Sequence, residues 1–169
     1  MDVSKPYEHY PRCMAGVAVL LNVTIYALGA AILAGFGVVM SMLYLLYCLG
    51  NELHVMKASC VDCYYYGRWC AFGKGKVAPL LFKRGEPGRF ISKKISWKEL
   101  LPDMLVLMIP LIGGIALLVQ RFSWSVALML AALLVLSLNG TYLVRSQLAC
   151  KYCKQRELGC PAERFFSKR

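Results

Sequence analysis

Six cysteines of this sequence form two triplets with the same spacing. Both triplets follow the pattern C-x2-C-x6-C, with Cys60, Cys63 and Cys70 in the first and Cys150, Cys153 and Cys160 in the second. Two thiols separated by two residues can hold one metal ion, because the intervening turn directs both sulfurs inward, and four make a closed tetrahedral zinc site. We therefore predict that all six cysteines are metal ligands.

Three uses of these thiols compete. One or two zinc ions are the first expectation, and an iron–sulfur cluster held by four of the six thiols is the alternative. On the cytoplasmic side ordinary thiol pairs are kept reduced, which favours metal binding over a structural disulfide. The third use is a redox-active dithiol, Cys60 with Cys63 or Cys150 with Cys153, analogous to four-helix membrane thiol oxidases. Those enzymes place their reactive cysteines on the outer side, which the charge distribution of this chain opposes.

The spacing resembles that of fungal zinc-cluster transcription factors, which carry C-x2-C-x6-C twice and bind two zinc ions through six cysteines. The basic stretch from Ala149 to Arg156 looks like the first half of that motif. The resemblance implies that the first cysteine of each triplet, Cys60 and Cys150, bridges the two ions. In that family a short loop joins the triplets, whereas here residues 71–149 intervene. The resemblance therefore extends to ligand geometry and not to DNA binding.

Basic and aromatic residues surround the triplets. Neighbouring Lys and Arg lower thiol pKa values and favour the thiolate that a metal requires, so we expect lowered pKa values here. Tyr64, Tyr65, Tyr66 and Trp69 lie between the ligands of the first triplet. We expect them to form an aromatic belt at the membrane interface. Cys13 and Cys48 belong to neither triplet and are expected to be small buried apolar residues.

The composition places these cysteines in a membrane protein. The chain has 169 residues, of which 59% are hydrophobic and 17% charged, whereas soluble proteins have roughly 45–50% apolar and about 25% charged residues. This composition excludes a disordered chain and an ordinary soluble enzyme.

Two long apolar runs predict the membrane-spanning helices. The uncharged run 13–51 exceeds one span, since a helix rises ~1.5 Å per residue and the hydrocarbon core is ~30 Å thick. We predict helices over 13–28 and 32–49, folded at a stretch containing Gly29, Gly35 and Gly37; a single helix with an interfacial segment is the alternative. The second run breaks near Arg121 and predicts helices over 104–119 and 125–144. The third helix is expected to start near Trp97, since Ser96 and Glu99 have capping-box spacing.

The predicted fold is an all-α integral membrane protein, with four transmembrane helices in two tandem hairpins and a cytoplasmic cysteine-rich metal-binding face. Its predicted segments are a cytoplasmic N-terminus (1–12), transmembrane hairpin 1 (13–51), a basic cytoplasmic loop with the first triplet (52–102), transmembrane hairpin 2 (103–144) and a basic cytoplasmic tail with the second triplet (145–169). Every Lys and Arg except Arg121 lies outside the two hairpin tips. The positive-inside rule then places both termini and the central loop in the cytoplasm, with the chain integral to the cell membrane.

The expected partners follow from the same charge. With 20 Lys and Arg against nine Asp and Glu, the chain is expected to bind membrane lipids, including anionic headgroups. A protein partner or a second copy is expected as well, and nucleic acid is not. Machinery for hydrolysis is not visible, so we predict no catalytic residue and leave open whether the protein is an enzyme. The expected function is a metal-stabilised scaffold or adaptor subunit. An iron–sulfur electron-transfer subunit of a membrane redox complex is the first alternative, and a membrane thiol–disulfide oxidoreductase the second.

Overall fold

The computed structural model describes residues 6–93 and 97–160, and all regular elements of this part are helical. A single isolated bridge pairs Tyr7 with Cys153. The α-helices are α1 (Arg12–Leu33), α2 (Val38–Val55), α3 (Lys74–Leu81), α4 (Pro87–Ser92), α5 (Trp97–Gln120), α6 (Trp124–Val135), α7 (Thr141–Leu143) and α8 (Lys154–Gly159). The predicted all-α class is confirmed.

Within residues 6–93 and 97–160, four helical stretches are long and apolar enough to cross a membrane. They are Arg12–Phe36, Val38–Cys60, Leu100–Gln120 and Trp124–Ala149, with mean hydropathies of 2.2, 1.3, 2.2 and 2.0. At most 33% of the most apolar window of each stretch is buried inside the protein. Most of these apolar side chains therefore face outward, as lipid-facing helices require. The predicted number of helices that are long and apolar enough to span a membrane is confirmed.

The turn within the first apolar run lies at a later residue than the sequence predicts. α1 continues to Leu33, a 3₁₀ turn covers Ala34–Phe36, and α2 starts at Val38. Gly37 makes the turn at φ 120° and ψ 158°, a conformation that is essentially restricted to glycine. The first helix is therefore longer than 13–28, and the alternative of a single helix with an interfacial segment is wrong.

Gly29 has a packing role instead of a turning one. A Cβ at Gly29 would lie 2.8 Å from the ring of Tyr44, so glycine at this position lets the aromatic ring approach the α1 backbone. The Tyr44 hydroxyl then donates a hydrogen bond of 2.9 Å to the carbonyl of Val106.

The second apolar run matches the prediction more closely. α5 begins at Trp97, and the helix stops at Gln120 before α6 begins at Trp124. The rings of Phe122 and Trp124 meet edge to face at this break. The proposed capping residue Ser96 and the side chain of Glu99 lie outside the described residues.

The chain divides into two compact units. The helical unit comprises Leu20–Glu52 and Trp97–Tyr142, and its core contains the fully buried side chains Ile32, Leu133 and Pro110. The cysteine unit comprises Met1–Val19, Leu53–Ser96 and Leu143–Arg169. Both cysteine triplets therefore belong to the same unit, although the segments that carry them are far apart in the sequence.

Candidate thiol site

Each triplet follows a π-helical end of a long helix. The π-helical turn Met56–Cys60 ends on the first cysteine of the first triplet, and the turn Val144–Ala149 ends immediately before the second triplet. Beyond these turns the backbone repeats as well. The amide of Cys63 donates to the carbonyl of Cys60 at 3.4 Å, and the amide of Cys153 donates to Cys150 at 3.4 Å. The equal spacing in the sequence therefore corresponds to the same C-x2-C turn, whereas the six residues that follow this turn form a helix, α8, only in the second triplet.

The two triplets exchange equivalent hydrogen bonds. The hydroxyl of Tyr65 accepts a bond of 3.0 Å from the backbone N–H of Lys154. In return, the side-chain oxygen of Gln155 accepts a bond of 2.8 Å from the backbone N–H of Tyr64. Tyr65 and Gln155 both stand two residues after the second cysteine of their triplet, and Tyr64 and Lys154 one residue after it. The triplets are therefore joined by a reciprocal contact that has approximate two-fold character.

An N-terminal segment completes the core of the cysteine unit. Tyr65 donates from its hydroxyl to the carbonyl of Tyr7 at 2.6 Å, and Tyr10 donates to the carbonyl of Ala149. The amide of Tyr7 donates to the carbonyl of Tyr152 at 3.0 Å. The rings of Tyr10 and Tyr65 meet edge to face at 5.4 Å between centroids. The segment that precedes α1 thus contacts both triplets.

Tyr65 is a core residue and not part of an interfacial belt. It is 2% exposed, as is typical of a fully packed side chain, and Tyr10 is 3% exposed. Together with Ala71 and Ala149 they form an apolar cluster, which we call the tyrosine cluster. The expectation of an aromatic belt is wrong for Tyr65, because its hydroxyl is fully hydrogen-bonded within the unit.

Lys154 adds an ion pair at the edge of this contact. Its ammonium lies 2.9 Å from a carboxylate oxygen of Glu8. The hydrogen bond and the positive charge of Lys154 lower the pKa of Glu8, and the same hydrogen bond raises the pKa of Lys154. Because both groups are solvated, this pair contributes little to stability.

Three thiols line the tyrosine cluster, and they come from both triplets. Cys63, Cys70 and Cys153 are half-buried against it. Burial raises the pKa of the Cys63 thiol to about 12, and the proximity of Cys153 adds to this effect. Burial likewise raises the pKa of Cys153. The expected lowering by basic neighbours is wrong for these two thiols, because desolvation is the largest effect on their pKa values and outweighs the backbone hydrogen bonds that lower them.

Backbone amides nevertheless point at these sulfurs. The N–H of Gly75 donates to the sulfur of Cys70 at 3.2 Å. Backbone hydrogen bonds from Tyr65 to Cys63, and from Gln155 to Cys153, oppose the rise in the thiol pKa values. Residues 65 and 155 are again equivalent positions. Such donors stabilise a thiolate once it forms, which is the role of outer-shell hydrogen bonds around metal-bound cysteines.

The six thiols are suitable metal ligands by residue type, but their side chains are not arranged as a ligand set. Across residues 6–93 and 97–160, no three His, Cys, Asp or Glu side chains are grouped closely enough to hold a metal ion. All six predicted ligands lie within the described chain, where Cys150 is exposed and Cys60 and Cys160 are half-buried. The thiols are thus gathered in one unit without being drawn together into a ligand set.

The two remaining cysteines differ from each other. Cys48 is 2% exposed and packs in the core of the helical unit, as expected. Cys13, in contrast, is exposed on α1. The expectation of burial is therefore wrong for Cys13.

Several polar residues escaped the sequence interpretation. Gln155 is 4% exposed and joins the triplets, and only its position two residues after Cys153 signals this role.

In the helical unit, the Tyr26 hydroxyl donates to a carboxylate oxygen of Glu52 at 2.5 Å. The amide of Asn51 donates to Asp103 at 2.8 Å. Because α2 continues to Val55, Glu52 belongs to a candidate membrane span and not to the following loop.

Comparisons with protein-family models, curated proteins and solved structures found no match.

Proposed function

We propose that the cysteine unit is a metal-binding module with thiolate ligands. It joins two segments of a membrane protein that are far apart in the sequence. The protein then serves as a metal-stabilised scaffold or adaptor subunit at the cytoplasmic membrane face. The observation that carries this proposal is the reciprocal hydrogen bonding between Tyr64–Tyr65 and Lys154–Gln155. It joins the two triplets in equivalent orientations, as a shared ligand set requires.

The residues that would hold the ion are the six cysteines of the two triplets. Cys63, Cys70 and Cys153 already share the tyrosine cluster, and each accepts a backbone hydrogen bond at sulfur. Because the pKa of Cys63 is raised to about 12, metal binding near neutral pH has to displace its proton. The binding free energy of a structural ion adds to folding free energy, so the ion would stabilise the join between the triplets.

A redox-active dithiol is the second candidate, and the absence of a grouped ligand set among the described residues favours it. Cys150 is exposed, whereas burial raises the pKa of Cys153. In this function the Cys150 thiolate attacks a disulfide substrate, and the first substrate thiol leaves. Cys153 then displaces the second, so that the substrate is reduced by two electrons and a Cys150–Cys153 disulfide forms.

Elemental analysis of protein purified without oxygen, together with its absorption spectrum, tests the proposal. We expect zinc in a fixed ratio to protein and a colourless sample. Iron with matching acid-labile sulfide and a brown colour would instead identify an iron–sulfur electron-transfer subunit. Metal-free protein in which all six triplet thiols are alkylated would contradict both metal functions and leave the dithiol.

Two single-cysteine variants test whether the metal binds at the triplets. Cys153→Ser should lose metal and unfold at a lower temperature than the parent protein, since it removes a thiol from the tyrosine cluster. Cys13→Ser is the control, because Cys13 is exposed and belongs to neither triplet. Equal metal content and equal thermal midpoints in the two variants would rule out a metal ion that stabilises the join between the triplets.

A further inference from the structure

The short helix α3 presents two different faces. Gly75 and Ala78 form its buried face, and Ala78 is fully buried. A Cβ at Gly75 would lie 2.3 Å from the backbone carbonyl oxygen of Tyr65. Glycine is therefore required for this close approach of α3 to the first triplet.

The outward side of α3 carries an apolar stripe. Val77, Leu80 and Leu81 have the i, i+3, i+4 spacing that places side chains on one face of a helix. They are 43%, 82% and 52% exposed. An apolar face this exposed is unusual on a helix surrounded by water, since amphipathic helices normally bury it.

Basic side chains flank this stripe. Lys76, Lys83 and Arg84 are all exposed, and the guanidinium of Arg84 lies 6.0 Å from the centre of the Tyr66 ring. Apolar residues beside Lys and Arg are typical of helices that lie in the interface of an anionic membrane. The charge of the flanks thus favours an acidic surface as the occupant of this face.

Contacts within the cysteine unit place α3 and the residue before it beside the end of one candidate membrane span and the first part of another. α3 packs against the π-helical turn Met56–Cys60, which ends the span Val38–Cys60. A Cβ at Gly73, the residue before α3, would lie 3.4 Å from the side chain of Val19. Val19 belongs to the span Arg12–Phe36. A helix that packs against the last turn of one span and lies beside the first part of another is positioned near the membrane surface.

We propose that α3 is an interfacial helix that inserts Val77, Leu80 and Leu81 into the membrane surface. Lys76 of α3, together with Lys83 and Arg84 immediately after it, then binds anionic lipid headgroups. The proposal is independent of the thiol chemistry, because it depends on the outer face of α3. It adds a specific lipid-binding element to the general expectation that the chain contacts anionic lipid.

Photocrosslinking in nanodiscs of mixed phosphatidylcholine and phosphatidylglycerol tests the apolar stripe. Leu80 of the full-length protein is replaced by p-benzoylphenylalanine, and adducts are identified by mass spectrometry after illumination. The control is the same replacement at Glu86, which is exposed beyond the end of α3. We expect lipid adducts at position 80 in clear excess over position 86. Equal lipid yields at both positions, no lipid adduct at position 80, or crosslinking to a second copy of the chain would overturn the proposal.

Charge neutralisation tests the basic flank. The variant Lys76→Gln/Lys83→Gln should retain less phosphatidylglycerol relative to phosphatidylcholine after purification, with a loss on the order of five-fold per charge. The control Arg89→Gln/Lys151→Gln removes two exposed charges outside α3 and should retain the ratio of the parent protein. An equal loss in the two variants would mean that the effect is one of total charge, and would contradict a site on α3.

Discussion

Single hydrogen-bonding side chains join the two triplets. The hydroxyl of Tyr65 donates to the carbonyl of Tyr7 and accepts from the amide of Lys154. Because Tyr65 is 2% exposed, water cannot readily replace either bond if the hydroxyl is removed. An unsatisfied buried polar group costs about 1–3 kcal/mol. The join between the triplets thus depends on a few polar atoms in an otherwise aromatic core.

The variant Tyr65→Phe tests this dependence. It keeps the ring in place and removes both hydrogen bonds of the hydroxyl, so we expect the free energy of unfolding to fall by about 1–3 kcal/mol. Unfolding in detergent can be followed with a dye that becomes fluorescent on reacting with exposed thiols. The control is Tyr142→Phe, because Tyr142 is 68% exposed. Tyr65→Phe protein as stable as the control would show that the hydroxyl does not join the triplets.

At the scale of secondary-structure elements, the ends of helices and the turns that follow them position the triplets. The π-helical turns Met56–Cys60 and Val144–Ala149 both lead directly into a C-x2-C turn. At the other end of the first hairpin, Gly37 allows α1 and α2 to form separate helices. Its φ of 120° is combined with open space around the position, since nothing lies within 4 Å of a Cβ built there. Backbone conformation alone therefore requires glycine at residue 37.

Gly37→Ala separates backbone strain from packing. We expect a loss of stability of about 1–3 kcal/mol, because alanine is strained at this φ and ψ. Gly50→Ala is the matched control, since a Cβ at Gly50 also meets nothing within 4 Å but the residue lies inside α2. There alanine should be neutral or stabilising by up to about 1 kcal/mol. Equal midpoints of thermal unfolding for the two variants would contradict the role assigned to Gly37.

At the scale of the whole molecule, charge and hydropathy determine how the chain meets a membrane. The four candidate spans leave most of their apolar side chains exposed, so a lipid environment is required to cover them. Every Lys and Arg except Arg121 lies outside the two predicted hairpin tips. This asymmetry predicts a cytoplasmic location for both termini and the central loop.

Reporter fusions test this orientation. A fluorescent protein that folds only in the cytoplasm should fluoresce when fused after Arg169, and alkaline phosphatase should be inactive there. Phosphatase inserted at Arg121 should be active, because that loop is predicted to face outward. The opposite pattern at the two positions would place the thiols in an oxidising compartment and favour the dithiol function over metal binding.

The amino-acid sequence was sufficient to predict a membrane protein with four long apolar helices and to identify two cysteine triplets of equal spacing. These properties depend on composition and on residues that are near one another in the chain, so local physical rules are sufficient. The turn at Gly37 was harder to predict, because Gly29, Gly35 and Gly37 are equally good turn candidates in the sequence. The structure shows that Gly29 instead packs against the ring of Tyr44.

The residues that surround the thiols could not be predicted without the folded chain. The exchange between Tyr64–Tyr65 and Lys154–Gln155 joins residues that are about ninety positions apart, and no periodicity in the sequence indicates it. The raised pKa of Cys63 has the same origin, since desolvation depends on what packs against the sulfur and not on the count of nearby basic residues. The spacing of the cysteines therefore predicted the ligand candidates, whereas long-range packing determined how deeply each of them is buried.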